Sequence, residues 1–379
     1  MSLPLFEHFP GLAKLPRVQL CDLPTPLDDT RDVLPPDADS GSGRRLWIKR
    51  DDLTNVAYGG NKVRKLEFLL GEALAAGCRS VITFGAYGSN HALATAVHAR
   101  ALGLEPHAVL SPQAPGPFAA ATLRAHAALR TVIHPIDGWD GRREAVRAIR
   151  ELGERDGVEP LVIPMGGTNA TGAVGYVNAA FELAEQAAPS AFAATPSAGD
   201  FVWPDVVYVP GGTLGTAVGL AIGFAALERA SVRPAPRVEA IRVTPGEVAN
   251  IGFAERLVTE TLTLLRVHDP AFPGLTLSDL GFELRDEFFD PGYGVVTPET
   301  TAAVELASDA GVKLETTYTG KALVALLADS AAARLGADKH VLFWDTYHSG
   351  EMPPPGSTDA LPEPLPTYVA ECDRLFATP

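Results

Sequence analysis

A lysine at the start of a predicted helix is the residue of this chain best suited to covalent chemistry. The segment Tyr58-Gly59-Gly60-Asn61-Lys62 leads into a helical pattern over 61–76. Asn61 has the side chain of a good helix N-cap, so Lys62 falls in the first turn. The partial positive charge of a helix N-terminus disfavours the ammonium form of that lysine. We therefore expect Lys62 to act as a nucleophile toward an aldehyde, which is what Schiff-base formation requires.

A second strand-to-helix turn carries groups that can bind an anion. Gly88-Ser89-Asn90-His91 follows an apolar strand pattern and opens a helical pattern over 92–102. Backbone N–H groups and the Ser89 hydroxyl at such a turn can hold a substrate carboxylate. The alternative is that Ser89 or Asn90 only caps the helix. His91 taken alone is more typical of a packed histidine than of a catalytic one.

A third turn is rich in glycine and predicts a phosphate site. Gly211-Gly212-Thr213-Leu214-Gly215-Thr216 lies between a strand pattern at 205–209 and an apolar helical pattern at 217–227. Glycines here expose successive N–H donors at a helix N-terminus, and the threonines add hydroxyls. No Gly-Lys-Ser/Thr follows, and the spacing differs from G-x-G-x-x-G. A nucleotide-dependent enzyme is therefore only a distant alternative.

The elements that must position these turns alternate along the chain. The predicted strands are 46–49, 80–84, 107–110, 131–135, 161–163, 205–209, 240–243 and 340–343. Helical patterns lie between them, which predicts an α/β protein with parallel sheets covered by helices. A chain of 379 residues exceeds what one hydrophobic core usually serves, so two domains are expected. We expect 189–204 to be an exposed loop, and the Pro-rich tail after Gly350 to wrap the surface without regular structure.

Composition excludes several classes of protein. The net charge of −15 argues against a nucleic-acid surface, which needs clustered basic residues. No run of eighteen apolar residues is present and the N-terminus lacks an apolar signal core, so we expect no membrane partner and a cytoplasmic location. Three widely spaced cysteines give neither a disulfide framework nor zinc-ligand spacing, so no metal is expected.

The three turns, in this order, carry a family resemblance. The matching segments are 23–27, 48–52, 60–65, 89–91, 164–169, 211–213, 292–294 and 318–322. The sequence resembles the 1-aminocyclopropane-1-carboxylate (ACC) deaminase and D-cysteine desulfhydrase family. These are pyridoxal 5'-phosphate (PLP) enzymes of the tryptophan-synthase-β-like fold, also called fold type II. The most specific matches are Gly60-Asn61-Lys62-Val63-Arg64-Lys65 and Ser89-Asn90-His91.

The resemblance implies an architecture. It predicts two doubly wound αβα domains with parallel sheets and PLP in the cleft between them. Residues 1–64 and 176–350 would form the large PLP-binding domain, 65–175 the smaller substrate-side domain and 351–379 the C-terminal tail. The resemblance also implies a homodimer acting on a small amino-acid substrate.

The resemblance also implies a role for each site residue. Lys62 would carry PLP as a Schiff base, Asn90 would hydrogen-bond the phenolic oxygen of PLP, and Ser89 would hold substrate and shuttle protons. Tyr293 and Tyr318 match the two active-site tyrosines of the family. Thr319 stands where ACC deaminases carry a glutamate facing the pyridine nitrogen and desulfhydrases carry threonine. The predicted phosphate-binding residues are Gly211, Gly212, Thr213, Gly215 and Thr216.

The residue at position 319 favours one reaction over another. A carboxylate would keep the pyridine nitrogen protonated and strengthen the ring as an electron sink, whereas a hydroxyl cannot. Elimination of a good β-leaving group needs only a modest sink, so we predict α,β-elimination to a 2-oxo acid and ammonia, as in D-cysteine desulfhydrase. ACC deamination ranks lower. The residues also leave open a PLP-dependent isomerase, a β-replacement transferase and a non-catalytic PLP-binding protein.

The sequence departs from the family pattern at three places. Gly88 replaces a glutamine, and 315–317 replace Asp-Pro-Val. The segment Trp344-Asp345-Thr346-Tyr347-His348-Ser349-Gly350 replaces His-Thr-Gly-Gly. Bulky side chains in that segment would reshape the pocket, although Trp344 suits a packing role equally well. These departures concern the substrate more than the cofactor.

Overall fold

The computed structural model describes residues 2–30, 45–136, 141–187, 201–336 and 340–376. The strands are β1 Leu27–Asp29, β2 Arg45–Arg50, β3 Ser80–Ala86, β4 Glu105–Ser111, β5 Val132–Pro135, β6 Leu161–Ile163, β7 Val206–Gly211, β8 Arg237–Arg242, β9 Phe282–Arg285 and β10 His340–Asp345. The helices are α1 Pro4–His8, α2 Lys62–Ala75, α3 Asn90–Ala101, α4 Pro117–Ala128, α5 Gly141–Asp156, α6 Ala170–Gln186, α7 Gly215–Arg229, α8 Ile251–His268, α9 Pro298–Asp309, α10 Thr319–Ala331 and α11 Leu365–Phe376.

Two sheets organise these elements. The six-stranded sheet has the order β1-β2-β10-β7-β8-β9, and the four-stranded sheet has the order β5-β4-β3-β6. Every pairing is parallel except that of the edge strand β1 with β2. Parallel strands have both faces covered, and all six residues of β7 are buried accordingly. The predicted α/β class with parallel sheets is confirmed, while the predicted domain boundaries stay a prediction.

Small residues allow two helices to pack closely on the larger sheet. A Cβ atom on Gly219 of α7 would lie 2.6 Å from the Tyr176 Cβ of α6, and one on Gly223 would lie 2.6 Å from the Ala180 Cβ. Such distances are shorter than any real contact between carbon atoms, so only glycine fits at these two positions. The close packing fixes α7, whose N-terminus faces the candidate site.

A buried network of charges lies behind α2. The Arg64 guanidinium on α2 donates to the carboxylates of Asp51, which follows β2, and of Glu182 on α6. The Lys49 ammonium on β2 donates to the same Glu182 at 2.7 Å. Two cations thus face two anions, and each of these side chains is at most 3% exposed. Because Arg64 lies two residues after Lys62, the network fixes the helix turn that carries Lys62.

The predicted strands are all present, with ends shifted by at most three residues. Two strands were not predicted, β1 and β9. Both lie at sheet edges and show partial burial, so their sequences lack a continuous apolar run. The predicted helices agree with α2, α3 and α7 to within two residues at each end.

The prediction of an irregular C-terminal tail is wrong. Residues Leu365–Phe376 form α11, which packs against α4. Leu365, Val369 and Cys372 recur at helical spacing and are buried in a cluster with Leu110 and Leu123. The preceding prolines hid this amphipathic pattern.

The predicted exposed loop at 189–204 lies mostly outside the described residues. Its last part, 201–204, is only partly exposed: the buried Phe201 ring packs edge-on against Trp47 with centroids 5.1 Å apart, whereas Val202 is 40% exposed. Trp203 similarly packs edge-on against Phe224.

Candidate active site

The three turns singled out in the sequence converge on one pocket. The cavity has a volume of about 350 Å³ and is lined by residues from both sheets. Gly85 and Ser111 lie at the carboxyl ends of β3 and β4, and Pro210 and Thr346 lie at or just after the ends of β7 and β10. A crevice at the carboxyl ends of parallel strands is the usual ligand site of open α/β sheets.

Lys62 is the first residue of α2 and lies in the pocket wall. Removal from water lowers the pKa of its amine to about 8. No hydrogen bond or ion pair of its Nζ is found among the described residues. The lowered pKa leaves about a quarter of the amines unprotonated at pH 7.5, against about a thousandth for an ordinary lysine.

Asn61 does not cap α2 as the sequence predicted. Its backbone is already helical, so its side chain makes no capping bond. The side-chain amide Nδ2 instead donates to the Thr216 Oγ1 at 2.9 Å. The turn that carries Lys62 is therefore joined directly to the glycine-rich turn.

The glycine-rich turn forms a cradle at the N-terminus of α7. Gly212, Thr213, Leu214, Gly215 and Thr216 all line the pocket. Leu214 has a left-handed backbone with φ of 60°, which turns the chain sharply into the helix. The wall is crowded at Gly215, where a Cβ atom would lie 2.6 Å from the Thr168 Oγ1 and 2.9 Å from the Lys65 Nζ.

Lys65 is a site residue that sequence reasoning missed. Its Nζ donates to the Gly166 carbonyl at 3.1 Å and to the Thr168 hydroxyl at 3.2 Å, next to the cradle. Burial and the nearby Lys62 hold its pKa well below the ordinary value. A signal was present, because Lys62 and Lys65 are three residues apart and therefore share one face of the helix.

The second turn also supplies polar groups to the pocket. Ser89 caps α3, since its Oγ accepts the backbone N–H of Ala92 at 3.2 Å, and it also lines the pocket. The Oδ1 atom of Asn90 accepts a hydrogen bond from the Tyr58 hydroxyl at 2.8 Å. His91 lines the pocket too, and burial together with the two lysines holds its pKa well below the ordinary value.

Two tyrosines also line the pocket. The hydroxyls of Tyr293 and Tyr318 are 2.8 Å apart, and their rings meet edge-on. Burial raises the pKa of both. Both hydroxyls are therefore protonated near neutral pH and can donate hydrogen bonds.

Two predicted site residues do not line the pocket. Gly211 is the last residue of β7 and pairs with Arg242 of β8. Thr319 is fully buried, and its hydroxyl bonds with Glu315. Glu315, which the sequence marked only as a departure from the family pattern, lines the pocket instead. Its carboxylate accepts the N–H groups of Thr317, Tyr318 and Thr319. Burial nonetheless raises its pKa.

Two residues of the divergent segment 344–350, Thr346 and Tyr347, line the pocket. Tyr347 is a bulky residue at this position, as the prediction of a reshaped pocket requires. Trp344 is fully buried, and its indole N–H donates to Asp51 at 2.7 Å, so its role is in packing. His348 lies behind the wall.

The pocket's groups fit a phosphorylated aldehyde. At one end a cradle of helix N-terminal N–H groups, hydroxyls and the Lys65 amine suits a phosphate dianion. Lys62 places an amine with a lowered pKa in the same cavity. Asn90, which carries a side-chain amide, lines the same pocket. These groups would hold pyridoxal phosphate at its phosphate, its aldehyde carbon and its phenolic oxygen respectively.

Comparison with known proteins agrees with this geometry. The family described as "Pyridoxal-phosphate dependent enzyme" matches residues 18–346. The D-cysteine desulfhydrase of Salmonella choleraesuis is 36% identical over 351 residues, which cover 90% of this chain and 96% of that protein. In the described part of this chain, no helix has both the length and the apolar character that crossing a membrane requires.

Solved structures show the same architecture. A crystal structure described as an ACC deaminase homologue is 30% identical and has a TM-score of 0.71, covering 92% of this chain and 96% of its own. Cysteine synthase from Entamoeba histolytica, 15% identical with a TM-score of 0.53 over 94% of this chain and 93% of its own, shares the fold alone. The predicted fold type, cofactor and lyase or deaminase class are confirmed. The chain belongs to the pyridoxal-phosphate dependent enzymes.

Proposed function

We propose that the chain catalyses α,β-elimination on a small amino acid with a good β-leaving group, and that D-cysteine is such a substrate. With D-cysteine, one water is consumed and pyruvate, ammonia and hydrogen sulfide are formed. The observation that carries this proposal is the 36% identity to a D-cysteine desulfhydrase, which extends over 90% of this chain.

Lys62 has the properties of both the cofactor-holding amine and the proton carrier. Bound pyridoxal phosphate supplies an aldehyde carbon for amines and an electron-withdrawing ring. Lys62 would hold the cofactor at that carbon. Its Nζ, which has a pKa of about 8 when free, would accept the α-proton of the substrate. An amine with an unperturbed pKa would be protonated and unable to act as this base.

The remaining residues would orient and neutralise charge. The cradle 212–216 and Lys65 would bind the phosphate, and the phosphate charge would favour the ammonium form of Lys65. Asn90 would donate to the phenolic oxygen. Ser89 would bind the substrate carboxylate at the N-terminus of α3, as the sequence predicted.

The tyrosine pair would provide the proton for the leaving group. One hydroxyl donates to the other across 2.8 Å, so the pair has a proton that it can pass to a departing thiolate. Transfer of the Lys62 proton back to this pair or to solvent would complete the cycle.

ACC ring opening is a second candidate function, supported by the likeness to the ACC deaminase homologue. Glu315 brings a carboxylate to the pocket. That carboxylate, however, is already bound by three N–H groups at the start of α10, and the Thr319 hydroxyl bonds to it as well. Because this arrangement ties up both groups, elimination remains the better-supported reaction.

A substrate panel tests the proposal. Purified enzyme is given D- and L-amino acids with β-leaving groups, and ACC, and is scored for 2-oxo acid, ammonia and sulfide. We expect all three products from D-cysteine, and no turnover by Lys62→Ala. Lys14→Ala, at an exposed lysine in the N-terminal region, is the control and should match the wild type. Ammonia and 2-oxo acid from ACC alone would instead establish the second candidate.

Further proposals concern the oligomeric state, the cellular location and the domain boundaries. We propose that the enzyme is a homodimer and acts in the cytoplasm, as the family resemblance and the sequence suggest. We also propose that 1–64 with 176–350 and 65–175 form two domains, since one sheet takes its described strands from 27–50 and 206–345 and the other from 80–163. Sedimentation of the holoenzyme tests the dimer.

A further inference from the structure

Behind the pocket wall, Tyr58 and His348 connect the Lys62 turn to Asn90. Tyr58 is 1% exposed and His348 4% exposed, and their rings lie against each other, tilted by 30°, with centroids 4.1 Å apart. Neither side chain lines the cavity. Both are therefore candidates for positioning residues rather than catalytic ones.

The hydrogen bonds of His348 define a single protonation state. Its Nδ1 lies 2.8 Å from the backbone nitrogen of Gly59, and its Nε2 lies 3.1 Å from the carbonyl oxygen of Glu351. A backbone N–H can only donate and a carbonyl can only accept. The ring must therefore be neutral, with its proton on Nε2 and a free lone pair on Nδ1. A protonated ring would direct a second N–H at the Gly59 N–H and lose that bond.

The segment 346–348 makes a second hydrogen bond to the turn that precedes Lys62. The backbone N–H of Asn61 donates to the Thr346 carbonyl at 3.1 Å. A Cβ atom on Gly59 would lie 2.2 Å from the Asp52 carbonyl oxygen, so only glycine fits at this point of the turn. Two bonds from 346–348 thus fix the residues that immediately precede Lys62.

Tyr58 transmits this arrangement to Asn90. Its carbonyl is bonded to the His98 Nε2 at 2.9 Å, its ring lies against His348, and its hydroxyl donates to the Asn90 Oδ1 at 2.8 Å. Because Oδ1 is already occupied, the Asn90 side chain is left with its NH₂ group as the available donor. A phenolate oxygen requires a donor, so this orientation of the amide is the productive one.

We propose that Tyr58 and neutral His348 are positioning residues, which fix the amide of Asn90 with its donor available to the cofactor and fix the turn before Lys62. This inference rests on the proposed roles of Asn90 and Lys62. It assigns a function to the divergent segment 344–350, of which His348 is part.

The surroundings of His348 favour the neutral ring. Burial lowers its pKa below the ordinary value and the nearby Lys313 acts in the same direction, while the bond to the Glu351 carbonyl and the charge of Asp52 oppose them. Tyr58 and His98 are the other titratable neighbours. The His348 ring should therefore be neutral, and should hold the turn before Lys62 in place, above about pH 6.5. This contact should be lost as the pH falls through the lowered pKa of His348.

Cofactor binding to the apoenzyme measures this role separately from turnover. Tyr58→Phe removes one oxygen atom and should weaken the affinity for pyridoxal phosphate about tenfold. It should also shift the visible absorbance of the bound cofactor. The matched control is Tyr208→Phe, which removes another buried hydroxyl bond, to Asp329, outside the pocket wall. Its affinity and spectrum should equal those of the wild type.

The pH dependence tests His348. His348→Asn keeps an acceptor for the Gly59 N–H but cannot be protonated. We expect wild-type affinity to fall below about pH 6.5 more steeply than that of His348→Asn. Equal affinity and an equal spectrum for Tyr58→Phe and wild type would overturn the inference, even if the asparagine variant does not fold. Parallel pH curves would overturn the part played by His348.

The failure of this inference can be told apart from that of the proposed function. Reductive labelling of Lys62 by the cofactor reports on the proposed function alone. A labelled Lys62 with unaltered Tyr58→Phe binding would refute only the positioning role. An unlabelled Lys62 in the wild type would refute the function on which that role depends.

Discussion

Adding a single methyl group at Gly215 should damage the phosphate cradle without unfolding the protein. Gly215 is the first residue of α7, and its φ does not lie in the left-handed region. Alanine suits such a helical backbone and typically stabilises it by about 0.5–1 kcal/mol. The added Cβ would nevertheless lie 2.6 Å from the Thr168 Oγ1 and 2.9 Å from the Lys65 Nζ.

The expected magnitude follows from the displacement of Lys65. Ordinary contacts of a carbon atom are about 3.5 Å, so the Thr168 hydroxyl and the Lys65 amine must each retreat by roughly 0.5 Å or more. Lys65 would then lose its place beside the cradle. Losing a hydrogen bond to a charged group costs about 1.5–3 kcal/mol. That corresponds to a dissociation constant roughly ten- to a hundredfold higher.

The assay compares two ligands that differ only in the phosphate. Apoenzyme is titrated with pyridoxal phosphate and with pyridoxal. The quantity measured is the dissociation constant for pyridoxal divided by that for pyridoxal phosphate. Gly215→Ala should reduce this ratio about tenfold or more, because the effect is confined to phosphate binding. The matched control is Gly252→Ala near the start of α8, where the nearest atom to the added Cβ is 3.5 Å away.

An unchanged ratio would refute the assignment of this turn as the phosphate site. Equal weakening of both ligands would indicate a general distortion of the pocket, and it would refute the reasoning from Lys65. Thermal unfolding of both variants confirms that each one folds.

Three further predictions follow from the same geometry. The rate at which apoenzyme binds the cofactor covalently should increase with pH and level off above about pH 9, because Lys62 has a pKa of about 8 and only its neutral amine reacts. A rate that still rises past about pH 10 would contradict the lowered pKa. Tyr318→Phe removes the hydroxyl that lies 2.8 Å from that of Tyr293. In steady-state kinetics this variant should have a kcat lower by about tenfold or more, with little change in cofactor affinity. An unchanged kcat would show that the tyrosine pair does not transfer the proton. Glu182→Ala removes one of the two buried anions that face Arg64 and Lys49. A urea titration should show a free energy of unfolding about 3–5 kcal/mol lower than that of the wild type. A loss near zero would show that water replaces the carboxylate.

Much of the fold could be predicted because its signals are local. β7 and β10 are continuous apolar runs that end in glycine or polar turns, and such runs identify buried parallel strands without knowledge of their partners. The prediction for the tail failed because two local signals conflict. Leu365, Val369 and Cys372 recur at helical spacing, but the prolines around them favour irregular structure, and the contact with α4, more than two hundred residues earlier in the chain, decides the outcome.

In the candidate site, too, the residues in short motifs could be predicted and the contacts between distant residues could not. Lys62, Ser89 and the glycines of the cradle lie in short motifs, so their types and spacing identified them. Glu315 and Thr319 show what a motif does not encode, since the direction of each side chain depends on how α10 begins. The connection from His348 to the Lys62 turn joins residues 289 positions apart, and no local pattern contains it.

The most direct measurement is borohydride reduction of the enzyme in the presence of pyridoxal phosphate, followed by peptide mass mapping. We predict that the peptide containing Lys62 gains the mass of the reduced cofactor, and that Lys62→Ala gains none there. Lys65, three residues away in the same cavity, is the internal comparison and should stay unlabelled. A label on Lys65 or on any other lysine, or no label at all, would contradict the claim that Lys62 holds the cofactor.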